Sequence, residues 1–310
     1  MISIFKGLEN KFITSATIEK NCWVNVFNPE RDELDRLAEE LSIPPDFLTD
    51  PLDIDERARI EIEGKTILIV LRVPKADQHN SEVPYSTLPV GIILANNVIV
   101  TVCSSDINII LELFNGKSKS FSFENKSRFI LNVFYKTALL YLNYLKDINK
   151  RTNEVEKELQ KSMKNEELIK LLNIEKSLVF FTTSLKSNEL MMERFQRIQT
   201  LKLNVDEIDL LDDVIIDNKQ AIEMANIYSN ILSGMMDAFA SVISNNLNIV
   251  MKFLTSVTIL LMIPTLIASI YGMNVDLPFQ HVSHAFFVVM GICLILSIIS
   301  VLIFLKNKWF

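Results

Sequence analysis

Two long apolar runs, Phe253–Ile270 and Ala285–Leu305, occupy the C-terminal part of this 310-residue chain. At a rise of about 1.5 Å per residue, helices of about 18 and about 21 residues extend roughly 27 and 31 Å, enough to cross a bilayer core. Between them lie Tyr271-Gly272-Met273-Asn274 and a short linker, Val275–His284. The preceding sequence is charged and soluble in character. The pattern is that of a membrane hairpin with most of the mass on one side.

Lysine placement sets the expected topology. Lys252 precedes the first run, Lys306 and Lys308 follow the second, and the linker has no Lys or Arg. The positive-inside tendency then puts both termini in the cytoplasm and the linker outside, in a multi-pass plasma-membrane protein. Tyr271 and Trp309 fall at the two membrane edges, where amphipathic rings collect. One span suffices for an anchor, so a hairpin with a polar tripeptide at its tip favours transport.

Composition narrows the remaining classes. A net charge of −7 argues against nucleic-acid binding. Cys22, Cys103 and Cys293 form no Cys-x-x-Cys pair, and His79, His281 and His284 are too few for an imidazole cage. Lys6, Glu9 and Lys11 near the start make a cleaved signal peptide unexpected. Phosphate-loop and nucleophile-elbow motifs are missing, so no enzyme is expected and the driving force is electrochemical. A divalent ion gains about 4.6 kcal/mol per 100 mV of inside-negative potential, at about 2.3 per charge.

The body divides by pattern. Residues 1–124 are expected to form a cytosolic α/β domain, a mixed sheet flanked by helices. Its strands are Ala58–Ile62, Thr66–Val73, Val90–Ala95 and Asn97–Cys103, with further β-prone stretches in Ile13–Val26. Asp32–Leu41 is an amphipathic helix broken by Pro44-Pro45, and turns are expected at Glu63-Gly64 and Asn96-Asn97. Two long helices, Phe129–Met163 and Glu166–Thr200, fill residues 125–205. A third helix begins near Asp206 as a stalk (206–252) and continues as the first span (253–274), with no proline before Pro264. It is close to 100 Å long at about 1.5 Å per residue. The external loop is 275–284, and the second span with its basic end is 285–310.

One stripe of this long helix is unusual. Asp237, Ser244, Met251, Thr258 and Thr265 recur every seven residues, and Ser241, Asn248, Thr255, Met262 and Ser269 do so at an offset of four. Ile259, Leu260, Leu266 and Ile267 are the expected lipid-facing positions. A polar or soft stripe suits either a helix contact using small polar groups or a water-filled pore lined by symmetry-related helices. Asp237, Asn248 and Asn274 favour the pore. Mg²⁺ dehydrates reluctantly, and neutral amide oxygens can hold the hydrated ion through its waters. Met251, Leu254 and Met262 offer constrictions that close by dewetting.

These residues resemble the CorA family of magnesium channels. The resemblance rests on Tyr271-Gly272-Met273-Asn274 at the outer end of the first span. It also rests on Ser233-Gly234-Met235-Met236-Asp237, Ser244-Asn245, Asn248, Met251-Lys252, Leu254-Thr255, the end Lys306–Phe310, and Asp50–Val73 with Leu68-Ile69-Val70-Leu71-Arg72. It implies a funnel-shaped homopentamer with a cytosolic α/β domain and one long pore helix per subunit. Gly272, Met273 and Asn274 would form the outer selectivity site. Asn248, Met251, Leu254, Met262 and Thr265 would line the pore above a ring of Asp237. Regulatory Mg²⁺ between cytosolic domains would involve Asp213, with Asp217 one turn on, and a partner within Asp50–Glu56 of a neighbouring subunit.

The chain departs from the family pattern in places. The external loop has Asp276 as its one acid, Val275 follows the tripeptide, and Lys161 and Lys164 mix with Glu166 and Glu167 at the tip of the two long helices. The C-terminal end has two lysines rather than a longer basic run. The expectation is passive Mg²⁺ uptake driven by membrane potential and inhibited by cytosolic Mg²⁺. The alternatives are a Zn²⁺, Co²⁺ or Ni²⁺ transporter on the same scaffold and a non-conducting divalent-ion sensor.

Overall fold

The computed structural model describes residues 1–8, 11–77, 82–105, 125–161, 165–198, 201, 203–275, 277–278 and 284–307. It divides into two compact units, Met1–Gly234 and Met235–Phe310.

The first unit is built on a seven-stranded sheet. Its strands are β1 (Ile2–Leu8), β2 (Lys11–Ser15), β3 (Cys22–Phe27), β4 (Arg59–Glu63), β5 (Thr66–Ala76), β6 (Tyr85–Ala95) and β7 (Val98–Cys103). They lie in the order β2-β1-β3-β7-β6-β5-β4. β3 and β7 are parallel, with Trp23 opposite Ile99, and the other neighbours are antiparallel. The expected mixed sheet is therefore present.

Alternation along β5 explains its apolar run. Ile67, Ile69, Leu71 and Val73 enter one core, while Leu68 and Val70 enter another on the opposite face. The first core is closed by three helices, α3 (Lys126–Lys161), α4 (Asn165–Gln196) and the start of α5 (Val205–Tyr271). They contribute Phe129 and Phe134, Met191 and Phe195, and Leu211 and Val214 respectively. The second core is closed by α1 (Arg31–Leu41) and α2 (Pro45–Thr49), through Leu34, Leu37, Leu41, Phe47 and Leu48. A strand covered on both faces has no polar side to show, so β5 and β6 read as continuous hydrophobic segments.

Local chemistry sets the boundaries. α1 ends ahead of the prolines expected to break it, on Ser42, whose φ of 52° is left-handed and whose N–H donates to the Ala38 carbonyl. Pro45 then starts α2, because a proline at the first helical position lacks only an N–H that would be unpaired there anyway. The β6–β7 hairpin turns on Asn96 and Asn97, both with positive φ (46° and 68°), the backbone a two-residue type I′ turn needs. The β4–β5 turn is centred on Gly64-Lys65, one residue beyond the expected place, with Gly64 at φ 57°. β1 was not expected. It pairs with β2 and β3 near the sheet edge, where half-buried side chains alternate only weakly.

In the second unit the C-terminal part of α5 and the whole of α6 (Ala285–Lys306) are long and apolar enough to cross a membrane. Pro264 lies inside α5. Its missing N–H leaves the Leu260 carbonyl without the usual helical partner.

Gly91 in β6 is where the acidic segment meets the sheet. A Cβ there would lie 2.4 Å from Pro51 Cγ, so the absence of a side chain seats the turn Asp50–Leu52 on the strand. Gly91→Ala is expected to destabilise the protein by about 1–3 kcal/mol, the usual cost of overpacking a tight core. Thermal unfolding of the purified full-length protein measures this. Gly234→Ala, where a Cβ meets nothing within 4 Å, should leave the melt unchanged or raised.

Candidate functional site

The membrane part of α5 is two-faced. Ser256, Leu260, Ile263, Ile267 and Tyr271 recur every three to four residues and are buried or half-buried. Asp237, Ser244, Asn248, Met251, Leu254, Thr255, Thr258, Met262, Thr265 and Ser269 are all exposed. At about 100° per residue, the membrane-level members of that stripe centre on the side of the helix opposite the half-buried set. Leu260 and Ile267, expected to face lipid, belong instead to the half-buried face.

The stripe hydroxyls are oriented by the backbone. Thr258 Oγ1 donates to the Leu254 carbonyl at 2.8 Å, and Thr265 Oγ1 donates to the Leu261 carbonyl at 2.8 Å. Each uses its single hydrogen inward, so what it presents outward is an acceptor oxygen. Ser241 does the same to Asp237 at 3.0 Å. Oxygen lone pairs along an exposed face suit a hydrated cation and offer nothing to an anion. Asn248 adds a carboxamide, and the stripe has no charge between Asp237 and Asn274.

The helix ends where the tripeptide begins. The Gly272 N–H donates to Ala268 at 2.9 Å, and the Met273 N–H reaches back to Ile270 at 3.2 Å, tightening the last turn. A Cβ on Gly272 would come within 3.3 Å of the Ala268 carbonyl, so that neighbour would have to give way. Met273 and Asn274 follow as an exposed turn, and Tyr271 Oη donates to the Pro278 carbonyl at 3.2 Å. Asp276, His281, Lys308 and Trp309 lie outside the described residues, as do His79 and Lys164.

A second candidate surface lies in the first unit, at the start of α5. Asn204 and Glu207 form a reciprocal cap: Glu207 N–H donates to Asn204 Oδ1 at 2.9 Å, and Asn204 N–H donates to Glu207 Oε2 at 3.0 Å. Asn125 Nδ2 also donates to Glu207 Oε1 at 2.6 Å. Glu207, read in the sequence as part of an acidic face, is thus a buried cap. Asp206, Asp209 and Asp213 share one helix face and line a cavity of about 660 Å³ with Asn125, Arg128 and Asn204. Asp213 is exposed, Asp217 is half-buried, and neither is held by a hydrogen bond or ion pair among the described residues. Among the described residues no three His, Cys, Asp or Glu side chains converge as a metal site. Asp213 therefore supplies part of a site at most.

The Asp50–Glu56 segment has its own balance. Arg59 is paired with Asp50 at 2.6 Å and also with Glu56, while Asp53 Oδ1 accepts the Asp55 N–H at 3.0 Å. Arg72 clamps the segment from below. Its guanidinium donates to the carbonyls of Ile54 and Glu56 and to Thr87 Oγ1, the last at 2.8 Å. Burial pushes the Arg72 guanidinium below its ordinary pKa, because no carboxylate bonds to it directly. β4 stops at Arg59, which leaves the Arg72 backbone beyond its end. Asn188 of α4 completes it, accepting its N–H at 2.9 Å and donating to its carbonyl at 2.8 Å.

Comparison with known proteins gives this arrangement a context. The chain is 28% identical over 292 residues to the cobalt/magnesium transport protein CorA of Methanocaldococcus jannaschii, covering 93% of this chain and 90% of that protein. It is 24% identical over 306 residues to the magnesium transport protein CorA of Helicobacter pylori, with 94% and 92% covered. The complete structure of the CorA magnesium transporter from Methanocaldococcus jannaschii superposes with a TM-score of 0.86 at 25% identity, covering 100% of this chain and 99% of that one. The family described as CorA-like Mg²⁺ transporter protein matches residues 19–306, and the chain belongs to that family.

Proposed function

We propose that this chain is a passive Mg²⁺ uptake channel, assembled as a homopentamer in the plasma membrane with both termini in the cytoplasm. The observation that carries the reading is the two-faced α5: acceptor oxygens stay exposed along one stripe while only the opposite face is covered. Oxygen-bearing side chains facing hydrocarbon are costly, so the stripe calls for water and for copies of itself around that water. In this reading Gly272, Met273 and Asn274 hold the hydrated ion at the outer mouth. Asn248, Thr255, Thr258, Thr265 and Ser269 pass it along, and Met251, Leu254 and Met262 form the dry constrictions. Asp237 and Ser244 line the cytosolic end, and Asp276 stands in the external loop.

Inhibition by cytosolic Mg²⁺ belongs to the same proposal. Asp213 and Asp217 carry unengaged carboxylates, the hard oxygen donors Mg²⁺ prefers, and a second chain would complete the site. Of the segment proposed as its partner, Asp50 and Glu56 are already balanced by Arg59, which leaves Asp53 and Asp55 as the acids without an ion pair among the described residues, Asp53 accepting the Asp55 N–H. A second reading, Co²⁺ transport, is favoured by the name of the Methanocaldococcus jannaschii relative, a cobalt/magnesium transport protein.

The test is ion entry into proteoliposomes holding the purified protein under an imposed inside-negative potential. Wild type should admit Mg²⁺ only when the potential is present, and Asn274→Ala should reduce entry at least about tenfold, equivalent to about 1.4 kcal/mol. Entry of Co²⁺ without Mg²⁺ would select the second reading, and no entry of either ion by intact oligomers would remove the channel. Asp213→Ala should leave entry intact and raise the internal Mg²⁺ concentration needed to stop it. An unchanged inhibitory concentration would take Asp213 out of the sensor.

A further inference from the structure

The two membrane helices do not close on each other along the Pro264–Gly272 end of α5. A cavity of about 520 Å³ remains, walled by Pro264, Ala268 and Tyr271 from α5 and by Phe286, Cys293 and Ser297 among others from α6. We propose that this cavity holds an acyl chain of a membrane phospholipid from the leaflet on the linker side.

Four observations point to that occupant. The lining carries no charged residue, its one phenol, Tyr271, already donates to the Pro278 carbonyl at 3.2 Å, and beside Tyr271 its only other hydroxyl is that of Ser297, so it is chiefly apolar. Both walls belong to helices apolar enough to span a bilayer, so the medium outside is hydrocarbon. Along α6 the lining runs from the first turn, at Phe286, to Ser297. At about 1.5 Å per residue that is roughly 17 Å, close to half a hydrocarbon core of about 30 Å and hence one leaflet deep. The volume lies within the range of about 300–1,000 Å³ typical of ligand sites, and an empty apolar space of that size forfeits its dispersion contacts.

A second copy of the chain is the competing occupant. The polar stripe is proposed to face a water column, so copies of α5 would meet along its flanks, and the wall of the cavity lies farther round, about a third of a turn from the centre of the stripe. Small side chains keep the groove open: Ala268, Cys293 and Ser297 stand where larger residues would fill it. Gly272 also lines the cavity, so the occupant abuts the turn that carries Met273 and Asn274.

The experiment uses the full-length protein in liposomes containing phosphatidylcholine with a photoreactive diazirine in mid-chain. After irradiation the adducts are mapped by mass spectrometry. Labelling at the half-buried Val289 and Cys293 should exceed that at the exposed Ile295 and Leu302 several-fold. It should fall several-fold in Ala268→Phe and, separately, in Cys293→Leu at Val289, with oligomer size confirmed by gel filtration in each. Uniform labelling of the exposed face, or cavity labelling that survives both fillings, overturns the proposal. Labelling at Ile295 and Leu302 with none in the cavity also overturns it and assigns the groove to another copy of the chain.

Discussion

Hydrocarbon offers no hydrogen-bond partners, and the membrane part of α5 carries hydroxyl and thioether groups along one side, with the Asn248 carboxamide just before it. A helix satisfies its own backbone in lipid, and Thr258 and Thr265 go further by tying their hydroxyl hydrogens to carbonyls one turn back. What they cannot satisfy internally is their remaining oxygen lone pairs, nor can Asn248 satisfy its carboxamide. The surface that results can accept hydrogen bonds and is ill matched to lipid. The proposed channel follows from that mismatch, since identical stripes turned toward a common water column would remove it.

The first unit answers a different demand. Its sheet is covered on both faces, one by the short α1 and α2 and the other by the long α3 and α4 together with the start of α5. Covered strands leave chemistry to the edges and helix surfaces, and the acids gather there. Some are structural: Glu207 caps α5, and Asp50 and Glu56 are held by Arg59. Others, such as Asp213 and Asp217, have no partner among the described residues, which suits them to an ion shared with a second chain. Arg72 beneath the acidic segment and Gly91 under Pro51 hold that segment against the sheet.

Much of this was legible in the sequence because the signals are local. The length of the two apolar runs depends on neighbouring residues only. β5, β6 and β7 announced themselves through apolar density, and Asn96-Asn97 through turn chemistry. The clamp between Arg72 and Asn188 spans 116 residues, and no local pattern points to it. β1 escaped notice because Lys6 and Gly7 interrupt a short strand near the sheet edge. Glu207 was legible in principle, since Asn-x-x-Glu ahead of a helical run is a capping signal, but the surrounding acids masked it. Leu260 and Ile267 look like their lipid-facing neighbours in composition, and only the helix's half-buried face sets them apart.

The central claim is that the stripe of α5 faces water while the opposite face does not. Single cysteines placed from Met251 to Ser269, in protein whose native cysteines are replaced, can be challenged with a membrane-impermeant thiol reagent in intact membranes. Modification is predicted at positions 255, 258, 265 and 269, slowed by Mg²⁺, with positions 256, 260, 263 and 267 protected. Modification without that period, or confined to the protected face, would contradict it.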